Sequence, residues 1–219
     1  MLRELLPPTV ATEAVEGDDP SAALFPEELA AVERAIDRRK REHAIGRSCA
    51  RRALGQLGFP PLPILNGPKR EPLWPAGVVG SITHCDGYSA AAVAKERDLL
   101  ALGIDAELHA PLPSGVLERI SLPEERARLA AAAPGTHWDR LLFSAKEATY
   151  KAYYPLTKAW LGFEQASISF DESARTFEVH LLVEPIRVGG RAIGHLRGRY
   201  AVYGSWVLAA IAVNAAESH

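Results

Sequence analysis

Two short segments hold the side chains best suited to chemistry: Gly103-Ile104-Asp105-Ala106-Glu107 and Phe143-Ser144-Ala145-Lys146-Glu147-Ala148-Thr149-Tyr150-Lys151. Together they offer three carboxylates and two lysines. Oxygen ligands favour a hard divalent cation, Mg²⁺ or Mn²⁺, over zinc. Two lysines nearby can neutralise phosphate oxygens, so the set describes a metal-dependent site acting on a diphosphate. In an extended strand Asp105 and Glu107 point to one side, shared with Ala101 and Gly103, which leaves room for a ligand above the acids. Two adjacent carboxylates repel unless a cation or protons intervene. In a helix Glu147 and Lys151 are neighbours on one face. Lys146 lies about 100° around and reaches the same pocket only from its edge. Taken singly, the segments read as a solvated strand end and a surface ion pair; their coincidence is what favours a site.

Other groups could complete it. Arg39, Arg47 and Arg51 recur at spacings of eight and four, which places them along one side of a helix, and Arg suits bidentate phosphate contacts. Lys69-Arg70 sits in a basic, proline-fixed loop. Ser81, Thr83 and His84 lead into the Asp86-Gly87 turn, a hairpin mouth that a ligand can approach. The remaining histidines, among them His43, His109, His137, His180 and His195, show no metal-ligand spacing, and Cys49 and Cys85 make no zinc motif.

These residues need elements to position them. Pro26-Glu27-Glu28 opens a helix, and a longer one is predicted from Glu33 to Leu57, stopped by Gly58. Strands are predicted at Val78–Thr83 and Ser89–Ala94, joined by the Asp86-Gly87 hairpin, with a third from Leu99 to Glu107. Helices follow at Ser114–Ile120, Pro123–Ala132 and Trp138–Tyr153. Strands then return at Ala166–Phe170, Phe177–Val183 and Tyr200–Val213, the last broken at Tyr203-Gly204-Ser205. Two Ala-rich hairpin arms, Tyr88–Val93 and Trp206–Val213, hint at two similar α+β halves. The division expected is an irregular arm over 1–25, an N-terminal half over 26–107 and a C-terminal half over 108–219.

Composition narrows the class. The 219 residues are 47% hydrophobic and 24% charged, enough for a globular core. A net charge of −2 argues against broad nucleic-acid binding. Two cysteines suit a reducing compartment, and no apolar run reaches membrane-spanning length, so a cytoplasmic protein without a membrane segment is expected.

The ordered set resembles the 4′-phosphopantetheinyl transferase family of the Sfp/EntD type, and within it the actinobacterial enzymes of polyketide, siderophore and mycolate pathways. The likeness is carried by Gly46–Arg51, Trp74–Cys85, Gly103–Glu107, Trp138–Lys151 and Pro155–Phe163. It implies a fold of two pseudo-symmetric α+β halves with coenzyme A in the cleft between them. It implies Asp105, Glu107 and Glu147 as Mg²⁺ ligands, with water in place of a side chain at Ala106. Arg47 and Arg39 would meet the 3′-phosphate end of coenzyme A with Lys69 or Arg70 nearby, and His84, Lys146 and Lys151 would hold the diphosphate. Asn66 stands where some relatives have a lysine. The activity implied is transfer of the phosphopantetheine arm to a serine of acyl or peptidyl carrier domains, with Glu147 as the base and Lys151 on the leaving phosphate. The expected docking residues lie near Ser114–Ile120 and Trp160–Phe163, on a monomer. A magnesium-dependent pyrophosphatase and a non-catalytic coenzyme A-binding module are the competing readings.

Overall fold

The computed structural model describes residues 1–188 and 190–215; the last four residues assigned to the C-terminal half lie outside them. The first sheet forms around an alanine strand. Strand β1 (Ala11–Glu16), helix α1 (Pro26–Leu29), helix α2 (Asp37–Gln56) and the hairpin β2 (Val78–Cys85)/β3 (Tyr88–Lys95) make up this half, and the strand order is β1-β3-β2. Ala90 to Ala94 are all fully buried because β3 is covered on both faces. Ala91 and Val93 meet Ala50, Ala53 and Leu54 of α2, while Ala90, Ala92 and Ala94 face the other way. Small side chains at a period of two let both layers approach closely. Strand β1 corrects the expectation of an irregular arm. It pairs antiparallel with β3 from Ala11↔Val93 to Glu16↔Tyr88, satisfying an edge whose backbone groups would otherwise be lost from water. Helix α2 begins at Asp37, not Glu33, because a 3₁₀ turn over Ala30–Val32 and an extended Ile36 precede it.

The second half contains β4 (Leu99–Leu108), α3 (Val116–Ile120), α4 (Pro123–Ala130), α5 (Trp138–Thr157), β5 (Ala166–Asp171), β6 (Thr176–Leu181), the small hairpin β7 (Ile186–Val188)/β8 (Arg191–Ile193), β9 (His195–Tyr203) and β10 (Trp206–Asn214). The main sheet runs β4-β10-β9-β6-β5. Strand β4, expected to close the first half, is instead hydrogen-bonded to β10 from Leu108↔Trp206 to Leu99↔Asn214. The β7/β8 hairpin was not expected, and α5 continues past Tyr153 through Pro155 to end at Lys158 in the left-handed region. Among the described residues no helix is long and apolar enough to cross a membrane.

The two sheets meet where β2 runs beside β4. Side-chain hydroxyls replace a backbone ladder there: Ser81 Oγ accepts from Ile104 N–H (3.1 Å), and Thr83 Oγ1 accepts from Ala106 N–H (3.0 Å).

One device appears in both halves, and the sequence reading passed over it. Phe25-Pro26-Glu27-Glu28 and Leu122-Pro123-Glu124-Glu125 each start a helix with a proline and end on a fully buried glutamate. Glu28 accepts from Phe25 N–H and Ile64 N–H (both 2.8 Å) and pairs with Arg51 of α2 (2.8 Å). Glu125 accepts from Leu122 N–H and Ile168 N–H (both 2.7 Å) and pairs with Lys146 of α5 (2.9 Å). Each glutamate thus ties a short helix, a long helix and an extended segment together.

Candidate active site

Helix α5 lies directly on the acidic face of β4. A Cβ built on Gly103 would sit 2.0 Å from Ala148 O and 2.8 Å from Ala152 N, so only glycine admits the helix at this distance. The space expected above Gly103 and Ala101 for a ligand is therefore filled by α5. That contact sets Lys151 against Asp105: its ammonium donates to Asp105 Oδ1 (2.8 Å) and to Ile104 O (3.0 Å). Thr83 Oγ1 adds a further bond to Asp105 Oδ1 (3.3 Å). Asp105 is buried, and its Oδ2 has no hydrogen-bond partner among the described residues. Glu107, two residues along the same face, accepts from Arg140 at Oε2 (3.0 Å).

The three carboxylates share one electrostatic environment. Burial pushes the Glu147 carboxyl above its ordinary range, and the Asp105 charge adds to the shift. Glu107 is raised too, first by burial and then by Asp105, against the pull of Arg140. A divalent cation suits this arrangement: the donors are all oxygen, Asp105 Oδ2 is a buried acceptor left unpaired, and crowded carboxylates gain from a positive charge. Among the described residues no three His, Cys, Asp or Glu side chains already close around a single point. The set fits the ion by chemistry and leaves part of its shell to water or substrate oxygens.

Beside these acids lies a cavity of about 950 Å³, lined by Arg39, Arg47, Asn66, Arg70 and His84, within the range of sites for cofactor-sized ligands. Arg47 is buried; its Nε donates to Ile64 O (2.8 Å) and a terminal nitrogen donates to Asn66 Oδ1. Burial lowers its pKa to about 10, which leaves it charged at neutral pH. Asn66, noted as the position where some relatives have lysine, here orients an arginine. Arg39 contacts the His84 ring and Glu42. Burial, with the charges of Arg39 and Lys151, pushes His84 down to about 4. Before any anion approaches, the His84 ring is therefore neutral near pH 7.

A second cavity of about 510 Å³ is lined by Lys69, Arg70, Trp74, Glu147, Tyr150 and Lys151. Arg70 borders both spaces from a left-handed backbone (φ 66°), a conformation uncommon for a side-chain-bearing residue. The structure thus brings Asp105, Glu107, Glu147 and Lys151 to one face, with Arg39, Arg47, Arg70 and His84 beside it and Lys69 at the second cavity.

Four expected contacts fall elsewhere. Lys146 is buried, and its ammonium is spent on Glu125 (2.9 Å), Phe163 O (2.7 Å) and Ala166 O (2.9 Å), so it ties α5 to α4 and to the start of β5 instead of facing a diphosphate. Ser81 and Thr83 are buried, with their hydroxyls joined to β4; they clamp the wall of the site. Arg51 turns away to Glu28. Conversely, Arg140 reaches the acids unassigned. Its position about two helical turns before Glu147 was the available signal, but its target on β4 is not a local neighbour in sequence.

Comparison with known proteins converges on one family. The model described as "4'-phosphopantetheinyl transferase N-terminal domain" matches residues 26–94, and that described as "4'-phosphopantetheinyl transferase superfamily" matches residues 101–203. The chain is 52% identical to 4'-phosphopantetheinyl transferase Svp of Streptomyces mobaraensis, over 98% of its own length and 90% of that protein's. It is 46% identical to 4'-phosphopantetheinyl transferase PptT of Mycobacterium tuberculosis, over 96% and 97% of the respective lengths. A third relative, 4'-phosphopantetheinyl transferase Npt of Nocardia iowensis, is 46% identical over 86% and 91%.

Proposed function

The chain belongs to the 4′-phosphopantetheinyl transferase superfamily, matched in both halves, and from that premise we propose how its residues move the arm of coenzyme A. The reaction transfers the 4′-phosphopantetheine group of coenzyme A to a serine of a carrier-protein domain and releases adenosine 3′,5′-bisphosphate. The observation that carries the reading is the seating of α5 on β4, which sets Lys151 on Asp105 and Glu147 near the same acids.

Roles follow from position. Arg39, Arg47 and Arg70 offer guanidinium groups to the 3′-phosphate and nucleotide end, with Lys69 at the neighbouring rim. His84 supplies a ring N–H toward the diphosphate. Asp105, Glu107 and Glu147 would hold Mg²⁺, with Mn²⁺ as a substitute; when bound, the ion neutralises diphosphate charge. Glu147, made more basic by burial, takes the proton from the carrier serine. The serine oxygen forms its bond to the phosphorus nearest the pantetheine, and the bond from that phosphorus to the leaving adenosine bisphosphate breaks. Lys151 meets the charge that develops on the leaving phosphate.

Acyl and peptidyl carrier domains are the acceptors on this reading. Exposed Trp160, packed on Tyr150 at a centroid distance of 5.0 Å, and the α3 region are their docking candidates. The two free cysteines support a cytoplasmic setting. The test measures adenosine 3′,5′-bisphosphate release from coenzyme A with and without Mg²⁺ and an apo carrier. Release that needs both is expected. Release without the carrier would point to a pyrophosphatase, and binding without release to a non-catalytic module.

A further inference from the structure

The first turn of α5 is tied to the segment that leads away from Glu107. His137 N–H donates to His109 Nε2 (3.1 Å), and Leu112 N–H donates to Asp139 Oδ2 (2.7 Å). Arg140 spreads one guanidinium over three acceptors: Nε to Ala110 O (3.1 Å), one terminal nitrogen to Pro111 O (3.0 Å), and the other to Glu107 Oε2 (3.0 Å). Its side chain is 17% exposed, and that of Glu107 is 22% exposed. The two carbonyls hold the guanidinium whether or not Glu107 is engaged, and its planar fork fixes the direction of the third bond. A mobile surface ion pair has neither property.

We propose that Arg140 is a positioning residue for the cation site: it fixes the Glu107 carboxylate beside Asp105 by one oxygen and leaves the other outside that bond. The inference rests on the reading that Asp105, Glu107 and Glu147 hold a divalent ion. Because its carbonyl contacts are independent of Glu107, Arg140 stays in place when the ion enters, and it acts as an orienter, not a competitor. Outer partners of this kind typically change metal affinity by about 10–100-fold when removed.

The test measures Mn²⁺ affinity from the electron paramagnetic resonance signal of the free ion, with and without coenzyme A. It compares the parent protein, Arg140→Gln, Glu107→Ala and the double variant. Arg140→Gln should bind Mn²⁺ about 10–100-fold more weakly. Adding it to Glu107→Ala, which leaves Arg140 no side-chain oxygen to orient, should cost nothing further, because its effect passes through Glu107. Arg140→Lys keeps the charge but not the fork, so its affinity should fall between parent and Arg140→Gln; it replaces Arg140→Gln in the cycle if that variant fails to fold. Unchanged affinity in Arg140→Gln overturns the proposal. So does tighter binding, which would make Arg140 a competitor, or an equal loss in the Glu107→Ala background, which would mean general damage. If the parent itself binds no Mn²⁺, the cation reading falls and takes this inference with it; that result is distinct because all the proteins then read alike.

Discussion

The base role proposed for Glu147 rests on where α5 places it: half-buried, beside Asp105, with its carboxyl raised by desolvation. Glu147→Gln should therefore lower turnover by about 10²–10⁴-fold, while the calorimetric affinity for coenzyme A stays near that of the parent. Turnover close to the parent's would remove Glu147 from that role. His84 and His43 make a second prediction. Burial pushes each down to about 4, helped at His84 by Arg39 and at His43 by Arg47. The unfolded chain binds these protons near pH 6.5 and the folded chain only near pH 4, so between those values the unfolded state carries more protons. Their contribution to stability is therefore intact above about pH 6.5 and is lost as pH falls toward 4. Histidine proton resonances followed by NMR should show two rings titrating far below the rest; midpoints near 6.5 for both would contradict the burial argument. At this scale the acids were legible. Strand alternation puts Asp105 and Glu107 together, and helix periodicity puts Glu147 beside Lys151. Lys146 was not legible, because the choice between the pocket and the interior is made by Glu125, a partner beyond local spacing.

At the scale of elements, the site depends on how closely α5 approaches β4. Gly103→Ala would drive a methyl group into the backbone at Ala148 O. The helix must lift or the strand must bend, at a cost of about 1–3 kcal/mol or more. Urea denaturation should report that loss, and activity should fall with it as Lys151 moves off Asp105. A variant with parental stability would show that the helix is not held by this contact. The buried pair beneath it gives another test. Glu125→Gln keeps one oxygen for either Leu122 N–H or Ile168 N–H, turns an amide NH2 toward the other, and leaves the Lys146 ammonium without a counter-charge, at a cost of about 3–5 kcal/mol. Parental stability would contradict the structural role given to Lys146. The hairpins and both long helices could be read from turn residues and apolar periodicity. Strand β1 could not, since its short run of Ala, Val and Glu becomes a strand only because β3 offers an edge. The β7/β8 hairpin is likewise too short for alternation to reveal.

For the whole molecule, the proposed site depends on two sheets meeting at one seam. The first half contributes Arg39, Arg47 and His84; the second contributes the acids and Lys151. Ser81 and Thr83 join the halves through hydroxyls, in the place where the sequence suggested ligand contacts. The paired Ala-rich hairpins only hint at a twofold character. Its firmer mark, the repeated proline and buried glutamate, takes on meaning only once each glutamate is seen with its long-helix cation. The central claim is that this seam moves the phosphopantetheine arm onto a carrier serine with Glu147 as base. Intact-mass spectrometry of an apo carrier domain tests it most directly, after incubation with coenzyme A, Mg²⁺ and either the parent enzyme or Glu147→Gln. The parent should add the mass of one phosphopantetheine group to the carrier, and the variant should add almost none in the same time. A carrier left unmodified by the parent, or modified equally by both, would contradict the account.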